Sequence, residues 1–365
     1  YGFAKLGSMA DFVNGYPFKP TDWKKRGLKI IRIQNLTGTS SEYNYTDRDD
    51  IPTRYIVKRN DLLISWSATI GFYLWKDEDA LLNQHIFKVV PKNNINLMYL
   101  YYLGNRIIEI ILTKVQGNTM QHITKGLFES IEIPLPPLIV QNEIVTELES
   151  YQKIIEGAKQ VVDSWKPHIE IDPNWNRIAL GDFCTFMTGG TPTTTKSEYY
   201  KNGTIPWLVS GDIHKEYISE CDNYISEEGY QNSNAKYLPE NSVLIALNGQ
   251  GKTRGCVALL RMKNATCNQS IVSILPNDIE QLLPEFLFYQ LKAMYKSIRR
   301  ITGDNQRSGL NIPIIKSIIV TLPDLQTQEA IVDRIVNEQK LVEGNRQLIA
   351  LNEQKIKDRI EKLWS

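Results

Sequence analysis

Two stretches decide how this chain is built: Ile131-Glu132-Ile133-Pro134-Leu135-Pro136-Pro137-Leu138-(x2)-Gln141 and, far downstream, Ile319-Val320-Thr321-Leu322-Pro323-Asp324-Leu325-(x2)-Gln328. Each reads as a short apolar strand, a proline stop and the first turn of a helix. Proline fixes its own φ and turns the residue before it away from the α region. Working outward, further pairs recur in the same order. Leu6-Gly7-Ser8 returns as Leu180-Gly181-Asp182, and Phe12-Val13-Asn14-Gly15 as Phe186-Met187-Thr188-Gly189. Asp61-Leu62-Leu63-Ile64-Ser65 matches Asn241-Ser242-Val243-Leu244-Ile245-Ala246, and Asn83-Gln84 matches Asn268-Gln269. Gly117-Asn118-Thr119 matches Gly303-Asp304-Asn305. The offset drifts from 174 to 187 residues, as small loop insertions would produce. The chain is an internal duplication with a period far longer than that of a solenoid.

Each repeat has two parts. The first is a module of short β-rich runs. The pattern predicts strands at Ile30-Ile31-Arg32-Ile33, 61–66 and 70–75, and again at 243–247, 256–260 and 271–275. A helical run closes each module, at 97–112 and 284–301. The second part is a long helix after the proline stop, expected over 138–165 and 325–363. The resulting plan is α+β, with a first globular domain at 1–136, a first helix and linker at 137–171, a second domain at 172–323 and a second helix at 324–365. Ile144, Leu148, Tyr151, Ile155, Ala158, Val162 and Trp165 alternate steps of four and three, a coiled-coil seam. Ile335, Val342, Ile349, Ile356 and Leu363 recur every seven residues, with Asn345 and Asn352 at alternate seam positions. Those asparagines suit either register control or a wet edge. Burial of each helix on its own domain is the other reading of the pattern.

Composition sets outer limits. The chain has 365 residues, 42% hydrophobic and 23% charged, an ordinary globular balance. The opening carries no charged-then-apolar leader, and no apolar run approaches membrane length. Cys184, Cys221, Cys256 and Cys267 show no close spacing, which points to reduced thiols in a cytoplasm rather than to a disulfide framework or zinc. The opening Tyr1-Gly2-Phe3 suggests a piece of something longer. The charges sum to +1, but residues 1–135 hold 17 basic and 13 acidic side chains, so the first module carries a positive excess. The stretch 136–171 holds 3 against 6.

Catalytic patterns are missing. Ala246-Leu247-Asn248-Gly249-Gln250-Gly251-Lys252-Thr253 resembles a phosphate-binding loop, but another strand is expected after it where that loop needs a helix N-terminus. There is no dinucleotide fingerprint and no Asn-Pro-Pro-Tyr or Asp-Pro-Pro-Tyr of an amino-methyltransferase. His85, His122, His168 and His214 lack metal-ligand spacing, so no metal is expected. Glu338-Gln339-Lys340 and Glu353-Gln354-Lys355 copy a nuclease fragment, but they read as solvated faces of the second long helix.

Polar clusters instead fall at equivalent places in both repeats. They mix amides and arginines, which pair with base edges, with lysines and hydroxyls, which bind phosphate. The first module offers Lys24, Lys25, Arg26, Arg32, Gln34, Asn35, Asn83, Gln84, His85, Asn118, Gln121 and His122. The second offers Thr193, Thr194, Lys196, Ser210, Asn248, Gln250, Lys252, Arg254, Asn268, Gln269, Arg299, Arg300, Asn305, Gln306, Arg307 and Ser308. Any one cluster alone is an ordinary solvated loop; their shared placement suggests a common DNA-facing surface.

The tandem arrangement resembles the specificity subunit of type I restriction–modification systems. The segments that carry the likeness are Gln116-Gly117-Asn118-Thr119 with 131–141, and Gly303-Asp304-Asn305-Gln306-Arg307-Ser308-Gly309-Leu310 with 322–328. Asp324 stands where the first copy has Pro137. The resemblance implies two target-recognition domains, each reading one half of a split double-stranded DNA sequence. It implies that the two long helices pack as an antiparallel coiled coil and act as a ruler. Adenine methyltransferase (modification) subunits, expected as a pair, would dock on them, and restriction/motor subunits would complete the complex. S-adenosylmethionine, ATP and Mg would belong to those partners, leaving this chain without a cofactor or a catalytic residue. The alternative is the specificity region of a single chain fused to an adenine methyltransferase.

Overall fold

The computed structural model describes every residue except Ala68, 116–124, Gln250 and 302–308. The chain divides into two compact units, Tyr1–Asp163 with Gly344–Ser365, and Ser164–Glu343.

Unit one begins with β1 (Phe3–Lys5), β2 (Ala10–Asn14), β3 (Leu28–Ile31), β4 (Asn44–Thr46) and β5 (Ile56–Val57). It continues with β6 (Leu62–Ser65), β7 (Gly71–Leu74), β8 (Ala80–Leu82), β9 (Ile86–Pro91) and β10 (Glu132–Pro134). One sheet runs β2-β9-β6-β7, a second β4-β3-β8-β5, and β1 pairs with β10 as a separate ribbon. β6 explains why its sequence is apolar without a break. Leu62 and Ile64 face one core, with Phe12, Phe87 and the helix Leu97–Val115, while Leu63 faces another with Ile31, Val57 and Trp75. Alternate side chains point to opposite faces, and both faces are covered.

Unit two repeats the plan with β11 (Asn176–Ala179), β12 (Cys184–Thr188), β13 (Ile205–Leu208), β14 (Tyr217–Ile218) and β15 (Tyr224–Ile225). β16 (Val243–Ala246), β17 (Val257–Leu260), β18 (Thr266–Cys267), β19 (Ile271–Pro276) and β20 (Ile319–Leu322) follow. The main sheet is β12-β19-β16-β17-β14, the second β15-β13-β18, and the ribbon β11-β20. β13 and β18 run parallel, as β3 and β8 do in unit one. β16 divides its residues as β6 does. Val243 and Ile245 enter one core, Leu244 and Ala246 the other. The matched glycines mark a shared close approach. A Cβ on Gly15 would fall inside the Asn83 carbonyl, and one on Gly189 inside that of Cys267.

Two expected elements differ. The helical run over 284–301 is two helices, Pro284–Ala293 and Tyr295–Ile301, broken at Met294. The break lets Ile298 enter the core while the Tyr295 hydroxyl donates to the Lys252 carbonyl at 2.7 Å. Ile33 is not the end of a strand but starts a helical turn, Ile33–Leu36, because the Asn35 side-chain oxygen accepts the Arg32 N–H at 3.0 Å.

The long helices are Leu138–Ser164 and Leu325–Glu361. Within unit one they run antiparallel. Arg359 donates to Glu147 at 2.8 Å, Lys355 lies over the Tyr151 ring at 5.4 Å, and Lys159 meets Glu353 at 3.2 Å. Exposed ion pairs contribute little; Ile144 and Leu148, in one core with Ile360 and Leu363, carry the packing. Ile155 and Ala158 are also buried, and Tyr151 and Val162 half-buried. Within unit two, Trp165 donates its indole N–H to Glu338 at 3.0 Å, and Ile335 joins the core. Val342 is buried, but Ile349 and Ile356 are only half-buried, whereas Asn352 is 1% exposed. Leu363, the last of the sevenfold series, is buried again, and so is Ile360. The Asn352 amide donates to Leu348 O of its own helix at 2.8 Å.

Candidate nucleic-acid interface

In unit two, several loops open at one end of the main sheet. β12 ends at Thr188, opposite Val272 near the start of β19; β16 ends at Ala246, opposite Ile271; Ile245 faces Val257, where β17 begins. Hydrogen bonds tie these loops together. Leu247 N–H donates to Ser270 O at 2.8 Å, Leu310 N–H to Leu247 O at 3.0 Å, and Asn268 N–H to Leu208 O at 3.0 Å. The Thr191 hydroxyl donates to the Gln269 side-chain oxygen at 2.5 Å. Arg299 Nη1 donates to Arg254 O at 3.3 Å, and His214 Nε2 lies 3.0 Å from Thr253 Oγ1. Ser210, Asn248, Lys252, Asn268, Gln269, Arg299 and Arg300 are thus gathered at one edge. Tyr295 and His214, which the sequence reading did not select, brace it. Their signal was spatial: a hydroxyl and an imidazole meeting a loop some 40 residues away in the chain.

Unit one has the same end. β2 ends at Asn14 opposite Phe87, and β6 at Ser65 opposite Ile86. β3 and β8 finish side by side at Ile31 and Leu82. Asn83 N–H donates to Ile31 O at 3.3 Å, Gln84 N–H to Tyr16 O at 3.0 Å, and Trp66 N–H to His85 O at 3.3 Å. Arg32, Gln34, Asn35, Asn83, Gln84 and His85 therefore share an edge. Trp66, also missed, stands among them with its ring stacked on Phe87 at 5.6 Å and its indole N–H 3.3 Å from Asn14 Oδ1.

Some candidates need correction. Lys24, Lys25 and Arg26 precede β3, so they lie at the end of that strand opposite to Arg32, on a turn closed by Lys24 N–H donating to Tyr45 O at 2.8 Å. They are exposed cations with no side-chain partner among the described residues, but they form a separate patch. Arg254 is only 7% exposed, so its side chain offers no open face to a duplex. Three amides are spent on the loops themselves. Asn35 holds Arg32 N and donates to Glu42 O at 2.8 Å, while Asn83 and Asn268 accept the Gln84 and Ser270 N–H groups at 2.9 and 3.0 Å. Such local side-chain bonds set turn geometry. Lys196 donates to the Tyr199 hydroxyl at 2.8 Å, which holds its ammonium above the usual lysine range; Thr193 and Thr194 beside it are exposed. Asn118, Gln121, His122, Gln250, Asn305, Gln306, Arg307 and Ser308 lie outside the described residues.

At the second edge, Lys252 and Arg300 are exposed, and their charged groups have no partner among the described residues. By contrast, in unit one Arg48 is held by Asp50 and Asp22 at 2.7 and 3.1 Å. Lys252 sits in the connection from β16 to β17, a strand and not a helix N-terminus. Among the described residues, no cluster of histidine, cysteine and carboxylates could hold a metal. The four cysteines are free, and burial pushes the Cys184 and Cys267 thiols up to about 12. What the two edges offer is amides, hydroxyls and cations, the chemistry of base edges and phosphates.

The model for the type I restriction modification DNA specificity domain matches residues 1–163 and again 173–360. The chain belongs to this specificity family. It is a DNA-recognition component of type I restriction–modification, built as two specificity domains in tandem. It is 25% identical over 281 residues to the EcoR124I/EcoR124II specificity subunit of Escherichia coli, covering 71% of this chain and 68% of that one. It is 22% identical to the MjaVIII specificity subunit of Methanocaldococcus jannaschii, covering 95% and 83%. Its fold is similar to the S subunit of a type I system from M. genitalium, with a TM-score of 0.56 at 14% identity over 99% of this chain and 95% of that one. A chain from a structure concerned with assembly and conformational transition of the type I R-M system gives a TM-score of 0.62 at 16% identity, covering 99% and 97%.

Proposed function

We propose that each specificity domain reads one half of a bipartite DNA target with the loop edge described above. The observation that carries this reading is the recurrence of that edge. In both units, loops from equivalent strand ends converge, tied by main-chain bonds and presenting amides and cations. A phosphate-binding enzyme would need one site; a split recognition sequence needs two alike. Gln34, Gln269, Asn248 and Arg299 stand where base edges would be met, and Lys252 and Arg300 where phosphates would be. The patch of Lys24, Lys25 and Arg26, before the start of β3 and so at its opposite end from Arg32, suits backbone phosphate flanking the half-site.

The chain itself supplies recognition, with methyl transfer and DNA cleavage carried out by partners. S-adenosylmethionine, ATP and Mg belong to those partners. Two modification subunits dock on the long helices, and restriction subunits complete the assembly. No described helix is long and apolar enough to cross a membrane; a DNA target supports a complex that works in the cytoplasm. The first long helix, 27 residues, spans about 40 Å at about 1.5 Å per residue, so the half-sites lie roughly one turn of duplex apart. The test is to express the chain with its modification subunits in an unmethylated host and map methylated adenines. Two short constant motifs separated by a fixed non-specific gap are expected. A continuous motif, or methylation without any motif, would overturn the reading.

A further inference from the structure

Gln141 and Gln328 are each 0% exposed, and in each the amide oxygen accepts one bond and the amide nitrogen donates two. The Gln141 Oε1 accepts the Asn96 N–H at 2.9 Å, and its Nε2 donates to Pro136 O at 2.9 Å and Asn94 O at 3.2 Å. The Gln328 Oε1 accepts the Leu283 N–H at 2.9 Å, and its Nε2 donates to Pro323 O at 3.0 Å and Gln281 O at 2.7 Å. Glutamine and all three partners are displaced by the same 187 residues between the copies. In each copy the accepted N–H belongs to the residue just before the module's own helix, Leu97–Val115 or Pro284–Ala293. One side chain therefore joins the first turn of the long helix, the proline linker behind it and the start of the module helix.

We infer that Gln141 and Gln328 are positioning residues for spacer selection. Each fixes the direction in which its long helix leaves its recognition module. The inference rests on the proposed reading of those helices as a ruler. The apolar contacts of Ile144, Val145 and Leu148 hold the first helix down, but apolar packing is non-directional. Three bonds from one planar amide to three separate backbone groups are directional. They leave the helix no swivel about its proline linker. A ruler whose ends swivel still measures, but it accepts neighbouring lengths.

The experiment uses the full chain assembled with its modification subunits. Duplexes carry both half-sites at the native spacer, one base pair shorter and one longer, and initial methylation rates are compared. Gln141→Met and Gln328→Met keep the volume and remove the bonds. Each should raise the off-spacer to native-spacer rate ratio by about tenfold, equivalent to about 1.4 kcal/mol, without changing the bases of either half-site. Hydrogen exchange should accelerate at the Asn96 N–H in the first variant and at the Leu283 N–H in the second. An unchanged ratio overturns the inference even where all rates fall together, since that is what a merely structural residue would give. If one variant fails to assemble, the other copy decides. If neither assembles, the clasp serves folding and the positioning role is refuted. A wild-type complex that methylates all three spacers alike would instead refute the ruler, and the inference with it.

Discussion

At the scale of single residues, burial separates side chains that offer chemistry from those that shape the loops. Lys252 is exposed and its ammonium has no partner among the described residues, whereas Arg254, two positions on, is buried. Lys252→Ala should therefore weaken DNA binding by the assembled complex about equally for cognate and unrelated duplexes. The slope of log affinity against log salt should fall by about 1, as for one lost phosphate contact. Loss of discrimination at a single base pair would instead assign it to base reading. Asp324 makes a different case. Its carboxylate accepts the Thr327 N–H at 2.9 Å and the Thr327 hydroxyl at 2.9 Å, capping the second long helix. Those bonds hold its pKa below the usual carboxylate value. A depressed folded-state pKa gives stability that is present above the unfolded pKa, about 3.9 for an aspartate, and is lost as pH falls through the lower folded value. Asp324→Asn should remove that part of the acid sensitivity. Parallel melting curves between pH 5 and 2 check it, and identical pH profiles would deny the cap its role. The first copy has Pro137 here and should lack this response.

At the scale of elements, the strands were legible because their sequence does two jobs. Leu244 and Ala246 fill one core while Val243 and Ile245 fill the other, so β16 reads as an unbroken apolar run. Leu244→Ala should cost about 2–5 kcal/mol in denaturant unfolding. A cost below about 1 kcal/mol would mean the second face is not a true core. The proline stops and both long helices were equally plain in the chain. The break at Met294 was not, since apolar spacing continues through it and only the reach of Tyr295 to Lys252 gives a reason to turn. The sevenfold spacing of Ile335, Val342, Ile349, Ile356 and Leu363 marks a face that is buried at both ends and half-buried at Ile349 and Ile356, with Asn352, at an alternate seam position, buried as well. Among the polar loops, equivalence between repeats picked residues that share an edge within each unit. Residue type allows Asn83 and Asn268 either to face outward or to cap turns, and side-chain direction decides for the turn there and at Asn35.

At the scale of the whole molecule, the duplication is the functional statement. If the helices set the gap between half-sites, inserting four residues, about 6 Å of helix, into the first one should lengthen the spacer by one or two base pairs and leave both half-site motifs intact. Methylation mapping of an active insertion variant reads this directly. Retention of the original gap would show that the helices are not the ruler. The ribbons that close each module carry a further consequence. In unit two, Asn176 lies opposite Leu322 and Ala179 opposite Ile319. In unit one, Phe3 lies opposite Pro134. Each module thus enters and leaves through two strands held side by side. Neighbouring entry and exit points make a domain tolerant of transplantation. A foreign module spliced in at the β11–β20 ribbon meets the host at one small seam. Genetic exchange at two positions in the gene can therefore replace one half of the recognised word while the other half, and the gap between them, are inherited unaltered.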